Sequence, residues 1–363
     1  MGEVANIPQL RFPEFSNEWE ESKVGKVFKV SAGGDIKTEN VSQIKTDGFP
    51  YPIYANAEKA KGLYGYSNLY KSEANVVTVA GRGVNIGIAH VRLEPFYPIV
   101  RLLVLNPIKD ADVKFWENQL NQLNLFVEST GVPQLTAPQI SSYKVKYPSK
   151  PEQQKIAAFL TAVDNKIEQL SKKQELLGEY KKGLMQQIFS QAIRFKADDG
   201  SDFPDWEEKK LGDVSDCLDN RRQPLNGAER NQMKGDIPYY GANGIVDYVN
   251  DYIFDEELVL LAEDGGNFND FSSKPIAQKI SGKAWVNNHA HILKAKNIIA
   301  TDFLFYSLVH KDIRRYIVGG SRAKLNKSDL LSIKTILPPL EEQTKIANFL
   351  SSIDTKIEQV GNS

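Results

Sequence analysis

Residues 151–170 read PEQQKIAAFLTAVDNKIEQL, and residues 341–360 read EEQTKIANFLSSIDTKIEQV. Twelve of the 20 positions are identical, a level that shared composition does not produce. The first copy opens a proline-free stretch whose 4,3 spacing runs through Ile156, Leu160, Val163, Ile167, Leu170, Gln174, Leu177, Lys181, Leu184 and Ile188, with eight of the ten apolar. The second carries the same register in Ile346, Leu350, Ile353, Ile357 and Val360. Sustained 4,3 spacing marks a coiled-coil seam rather than a general amphipathic face. Pro148 and Pro151, then Pro338 and Pro339, stand where each helix begins, the place at which proline is tolerated or ends the preceding strand. At ~1.5 Å per residue the first helix is expected to run for roughly 50 Å.

The repeat extends beyond this stretch, with a period near 190 residues. Trp19-Glu20-Glu21-Ser22-Lys23-Val24-Gly25 matches Trp206-Glu207-Glu208-Lys209-Lys210-Leu211-Gly212, and Pro52-Ile53-Tyr54-Ala55-Asn56 resembles Pro238-Tyr239-Tyr240-Gly241-Ala242-Asn243. Between these flanks, residues 57–130 and 244–320 share hydrophobic pattern but few identities. Two copies that keep their edges and change their middles suggest one scaffold carrying two different readers. Each body shows β-type runs, Val76 to Ala80 and Ile99 to Leu105 in the first, Leu258 to Ala262 and Trp285 to Leu293 in the second, bounded by Gly, Asn and Pro. One or two short helical segments are expected to intervene, Val113 to Phe126 and Thr301 to Arg315. The fold class is therefore α+β, with two β-rich globular domains in tandem, 1–150 and 191–340, separated by long helices at 151–190 and 341–363 that pair antiparallel. The second helix is the shorter, so part of the first seam is expected to lack an intramolecular partner.

The 363 residues carry 45 Lys+Arg against 46 Asp+Glu, a formal charge of −1. That balance argues against a protein that coats nucleic acid by bulk electrostatics and leaves a local basic face open. With 41% hydrophobic residues and a mean hydropathy of −0.39, each body can bury a normal core. One cysteine, Cys217, excludes a disulfide framework and a cysteine-based zinc cluster, which fits a reducing, cytoplasmic setting. The opening MGEVANIPQLRF has no apolar core of a signal peptide, and no stretch approaches ~18 apolar residues, so no membrane partner is expected.

The duplicated Trp-Glu-Glu-x-Lys-(Leu/Val)-Gly opening and the duplicated closing motif carry a resemblance. The closing motif reads Leu325 to Leu330, then Leu337-Pro338-Pro339-Leu340-Glu341-Glu342-Gln343, then Lys345-Ile346-Ala347 and Phe349-Leu350. Its first copy is Leu135 to Ile140 and Lys150 to Ile156, with Tyr-Pro-Ser-Lys-Pro in place of Leu-Pro-Pro-Leu. With Asn287-Asn288-His289, these motifs span nearly the whole chain, which resembles the specificity subunit of type I restriction–modification systems. The resemblance implies two target-recognition domains, each reading one half of a bipartite asymmetric site in double-stranded DNA, and helices that set the spacing. It implies no catalytic centre and no cofactor on this chain. S-adenosylmethionine is expected on two modification subunits that methylate adenine N6, and ATP with Mg²⁺ on restriction subunits. Docking of the modification subunits falls to the helices. A reading of another class is a coiled-coil scaffold with two heads binding glycans or peptides.

Candidate contacts follow from chemistry and position. Arg314 to Lys327 holds five basic residues and no acid, and Arg322, Lys324 and Lys327 are read as phosphate or base contacts, although a solvated basic loop gives the same letters. The equivalent loop of the first body is uncharged, and its Gln134 is suited to an adenine edge. Arg82 and Asn85 sit in Gly81-Arg82-Gly83-Val84-Asn85 after an apolar strand, Arg82 being suited to guanine or phosphate. The counterpart, Glu263-Asp264-Gly265-Gly266-Asn267, is acidic. Tyr54, Asn56, Tyr240 and Asn243 occupy a repeated turn and suit base or sugar contacts, or simple packing. Catalytic readings fail: no P-loop and no Asn/Asp-Pro-Pro-Tyr occurs, and Gly81-x-Gly83-x3-Gly87 is not a dinucleotide fingerprint. Pro204-Asp205-Trp206-Glu207-Glu208-Lys209 has the letters of a nuclease PD…ExK set but is too tight for two strands. His289 and His291 alternate on an expected strand, and no nearby cysteine completes a metal site, so none is expected.

Overall fold

A computed structural model describes residues 8–56, 59–123, 125, 133–320 and 323–362. The chain divides into two compact units, Met1–Ile167 and Glu168–Ser363.

In the first unit the strands are β1 (Glu20–Lys23), β2 (Phe28–Ala32), β3 (Val41–Ser42), β4 (Tyr51–Tyr54), β5 (Leu63–Ser67), β6 (Val76–Val79), β7 (Ala89–Arg92), β8 (Tyr97–Pro98), β9 (Leu103–Pro107) and β10 (Lys144–Tyr147). They form sheets ordered β2-β9-β6-β7 and β3-β5-β4-β8, with β1 paired to β10. Helices α1 (Val24–Val27), α2 (Val113–Asn121) and α3 (Ala137–Ser142) cover the first sheet, and α4 (Lys150–Phe189) leaves the unit. All four side chains of β6 are buried, as a central strand covered on both faces requires. Trp116, Phe28, Leu105, Leu120 and Ile140 fill the core between that sheet and the helices.

The second unit repeats the plan with β11 (Glu207–Lys210), β12 (Ser215–Cys217), β13 (Lys234–Gly241), β14 (Gly244–Val249), β15 (Phe254–Asp255), β16 (Leu258–Ala262), β17 (Ala277–Ile280), β18 (Lys283–Val286), β19 (Ala290–Ala295), β20 (Ile317–Val318), β21 (Lys324–Leu325) and β22 (Lys334–Leu337). Its sheets run β12-β19-β16-β17 and β14-β13-β18-β15, with β11 on β22 and β20 on β21. Helices are α5 (Leu211–Val214), α6 (Gly227–Gln232), α7 (Thr301–Leu308), α8 (Lys327–Ser332) and α9 (Leu340–Gly361). In each unit the second sheet contains one parallel pair, Tyr54 opposite Pro98 and Tyr240 opposite Val286.

The repeated letters are architectural. Glu152 and Glu342 are buried at the starts of α4 and α9. Each accepts from an arginine and an indole: Arg11 Nη2 at 2.6 Å and Trp19 Nε1 at 3.3 Å in one unit, Arg194 Nη2 at 2.7 Å and Trp206 Nε1 at 3.0 Å in the other. The following glutamines close a second pair of backbone groups. Gln153 accepts from Asp112 N and donates to Pro148 O, and Gln343 accepts from Ala300 N and donates to Pro338 O. The Trp-Glu-Glu opening is thus a strand pinned to the helix that closes its own repeat, which removes the nuclease reading.

Three expectations are corrected. The runs Ile99 to Leu105 and Trp285 to Leu293 are not single strands: each breaks at a tight turn, so that β8 and β9, like β18 and β19, belong to different sheets. Thr301 to Arg315 is helical only to Leu308; beyond it the Asp312 side chain accepts from Arg314 N at 3.1 Å, a local bond that competes with the helical pattern. Helix α2 ends at Asn121, and Asn124 and Phe126 lie outside the described residues.

The α4 helix begins six residues earlier than the seam and runs for 40 residues. Within the second unit its C-terminal half packs antiparallel on α9: Lys181 meets Asp354 at 2.5 Å, and Gly361 lies against Gln174. Ile188, Ile346, Leu350 and Ile353 are buried there, with Leu177, Leu184 and Ile357 half-buried. Along the N-terminal half, Ile156, Leu160 and Leu170 are partly covered, while Val163 and Ile167 are 40% and 56% exposed.

Candidate nucleic-acid interface

The two units build the same rim from different side chains. After β6 the chain turns through Gly81-Arg82-Gly83, and Leu135 N donates to Gly81 O at 2.9 Å. After β16 it turns through Glu263-Asp264-Gly265, and Leu325 N donates to Glu263 O at 2.7 Å. A bridge joins Arg82 to Gln134 in one unit and Asp264 to Lys324 in the other. The cation therefore changes strand between the copies.

In the first unit Arg82 Nη2 donates to Gln134 Oε1 at 3.0 Å, so two expected contact residues meet each other. Arg82 Nε is buried and has no hydrogen-bond partner among the described residues. Asn56 accepts from Gly81 N at 2.9 Å and donates to Val100 O at 2.5 Å, which makes it a brace of the rim rather than a free reader. Gly83 adopts φ +80°, a conformation that favours glycine, and Val84 at the loop tip is 95% exposed. Asn85 is half-buried, and its carbonyl accepts from Ile88 N. Tyr54 is packed: the Arg92 guanidinium lies 3.5 Å from its ring centre, and burial pushes its hydroxyl pKa up.

In the second unit an open groove of about 640 Å³ is lined by Asn243, Asp264, Gly265, Asn287, His289 and Ala323, among others. Asn243 donates to Gly265 O at 2.8 Å, and His289 Nδ1 lies 2.5 Å from Asp264 Oδ1. Lys324 pairs with Glu263 at 3.0 Å, and Lys327 stands exposed at the first position of α8. Tyr240 packs against the Leu258–Leu260 core, and burial raises its pKa. Arg322 lies outside the described residues.

Below this rim is a cluster absent from the sequence reading. Cys217, Asp219 and His291 hold atoms within 4.8 Å of one another, a spacing that suits a metal. The hydrogen bonds argue otherwise. His291 Nε2 lies 2.8 Å from Leu325 O, which can only accept, and Nδ1 lies 2.6 Å from Asp219 Oδ2. Burial opposes a charge on the ring, but Asp219, Cys217 and Leu325 outweigh it and push the pKa up to about 9. With both nitrogens donating, no lone pair faces a metal. Glu263 at 3.7 Å and Arg222, which binds Glu263 and Asp219, complete an ion-paired support under β21. His289 and His291 thus serve different carboxylates, one at the groove and one in the core.

The signals that sequence reading missed were registers, not letters. Leu103 pairs with Val79 and His291 with Leu261, so Val100-Arg101 corresponds to Asn288-His289. Arg101 becomes a rim residue only through that equivalence.

The model of the type I restriction modification DNA specificity domain matches residues 16–177 and again 204–362. An inferred type I restriction enzyme specificity subunit of Haemophilus influenzae is 38% identical over 148 residues, which cover 40% of this chain and 37% of that protein. The MjaVIII specificity subunit of Methanocaldococcus jannaschii is 28% identical over 296 residues, 72% of this chain and 67% of its own length. The crystal structure of the type I restriction–modification S subunit from M. genitalium superposes with a TM-score of 0.67 at 16% identity, covering 99% of this chain and 94% of that one. The tandem architecture, the paired closing helices and both family matches place the chain in the specificity-subunit family of type I restriction–modification systems.

Proposed function

We propose that this chain is the sequence-reading, non-catalytic subunit of a type I complex, and that each unit reads one half of a split DNA site. The observation that carries the reading is the doubled rim with exchanged chemistry, Arg82–Gln134 in one unit and Asp264–Lys324 in the other. One scaffold presenting different donors and acceptors recognises different base edges, so the two half-sites differ and the site is asymmetric. The helices dock the modification subunits, which bind S-adenosylmethionine, and restriction subunits supply ATP-driven steps with Mg²⁺. The complex works on cellular DNA, and among the described residues no helix is long and apolar enough to cross a membrane.

The test is methylome sequencing of cells expressing this chain with its modification partner. A split, asymmetric adenine motif is expected. Absence of any new motif, with both proteins expressed, removes the reading. Exchange of residues 29–140 for those of a relative is expected to change one half of the motif and keep the other.

A further inference from the structure

The turn between β8 and β9 is held in a conformation its residues disfavour. Val100 and Arg101 have φ of +51° and +59°, and Leu102 N closes the turn onto Ile99 O at 3.1 Å. This is the mirror-image turn normally filled by Asn-Gly. A β-branched valine there is a steric outlier. The surroundings force it: Val100 N donates to Gly34 O at 3.1 Å, Arg101 N to Gly33 O at 3.0 Å, and Asn56 to Val100 O. Neither Gly33 nor Gly81 has room for a side chain. A Cβ on Gly33 would meet the Pro98 carbonyl at 2.7 Å, and one on Gly81 would meet Arg101 O at 2.9 Å.

The consequence is positional. Arg101 rides on Gly81, the neighbour of Arg82, at the point where the second unit places His289 against Asp264. Arg101 is exposed, and among the described residues its guanidinium bonds to no side chain or backbone group. Arg82 is held by Gln134 and keeps a buried, unpartnered Nε. Among the described residues neither arginine meets a carboxylate. Strain retained at a turn that presents an unpaired arginine is the mark of a functional position.

We propose that Arg82 and Arg101 form a paired guanidinium reader that takes guanine, through its O6 and N7 acceptors, in the half-site bound by the first unit. Arginine is the residue whose donor fork matches that edge. In the second unit the same two positions, Asp264 and His289, satisfy each other, so this route to guanine belongs to the first half-site alone. The proposal rests on the DNA-reading function above.

The experiment uses the full chain assembled with its modification subunits, S-adenosylmethionine and genomic DNA, with methylated positions read by single-molecule sequencing. The wild-type complex is expected to require at least one guanine in the first half-site, identified by the 29–140 exchange. Arg101→Ala is expected to relax that position by roughly tenfold or more and to leave the second half unchanged. Arg101→Gln is expected to move the preference toward adenine. A first half-site without guanine overturns the proposal, as does an unchanged motif in both variants, whether methylation keeps its rate or falls uniformly as for a phosphate contact. Should Arg101→Ala fail to assemble on a sizing column, Arg101→Gln and Arg82→Gln decide by the same readout. A wild-type complex that methylates no split motif fails the DNA-reading function itself, a separate result.

Discussion

At the residue scale, the duplicated glutamates show how a motif that looks chemical is structural. Glu342 is fully buried, and it accepts from Arg194 and from the Trp206 indole. Removing one partner of a buried pair leaves the other's charge and donors unmatched, which costs about 3 kcal/mol. Glu342→Ala is therefore expected to lower the urea midpoint of the second unit with little change in slope. An unmoved midpoint would show the clamp to be ornamental. His291 gives a pH dependence of definite sign. Its pKa rises from an ordinary ~6.5 to about 9 when the chain folds. The folded state then holds a proton that the unfolded state releases, so the stabilisation is fully present below pH ~6.5 and is lost as pH rises through about 9. Thermal unfolding of the wild type is expected to weaken across that window, and that of His291→Gln to stay flatter. Parallel curves for the two proteins count against a charged His291.

At the element scale, α4 carries one continuous seam with two different fates. Near α9 the seam is closed: Leu350 is fully buried, and Lys181 and Tyr306 both bind Asp354. Within the first unit, Val163 and Ile167 stay in contact with water. Leu350→Asp buries a charge with no partner and is expected to destabilise by several kcal/mol, whereas Ile167→Asp is expected to leave the isolated chain within about 0.5 kcal/mol. Differential scanning calorimetry of both variants checks this, and equal losses would mean that the exposed seam is covered in solution. The seam was legible because periodicity survives in letters. The long helix followed from it, while the tandem plan came from the duplicated motifs and the α+β class from the β-type runs. Whereas the second β run carried the mark of its break in Asn287-Asn288, the break in the first was not legible, since Val100-Arg101 carries none of the Gly, Asn or Pro that mark a turn. That turn is imposed by Gly33, Gly34 and Asn56, residues distant in sequence. Arg82, Gln134, Asn243 and Lys324 were named from local chemistry, and the fold sets them along the rim, whereas Arg101 required the strand register.

At the scale of the whole molecule, a charge of −1 has to be reconciled with a DNA-reading role. Part of the positive charge is held by neighbouring carboxylates. Lys324 is paired with Glu263, Arg314 with Asp312, Arg222 with Glu263 and Asp219, and Lys345 with Asp198. Cations held by neighbouring carboxylates neutralise few phosphates, and affinity for duplex DNA falls with salt in proportion to the number neutralised. Arg101, Arg82 and Lys327 are the rim cations that meet no carboxylate among the described residues, a set suited to contacting bases at a few points rather than to gripping the backbone. The isolated chain is therefore expected to bind duplex DNA in the non-specific range, weaker than roughly 10⁻⁶ M at physiological salt, with a shallow dependence of log K on log salt. On the proposed function, adding the modification subunits is expected to tighten binding and steepen the slope together. Fluorescence anisotropy across a salt series, with and without the partners, measures both quantities. A steep slope from the isolated chain, corresponding to about six or more phosphates, would place the backbone grip on this subunit and reverse the division of labour.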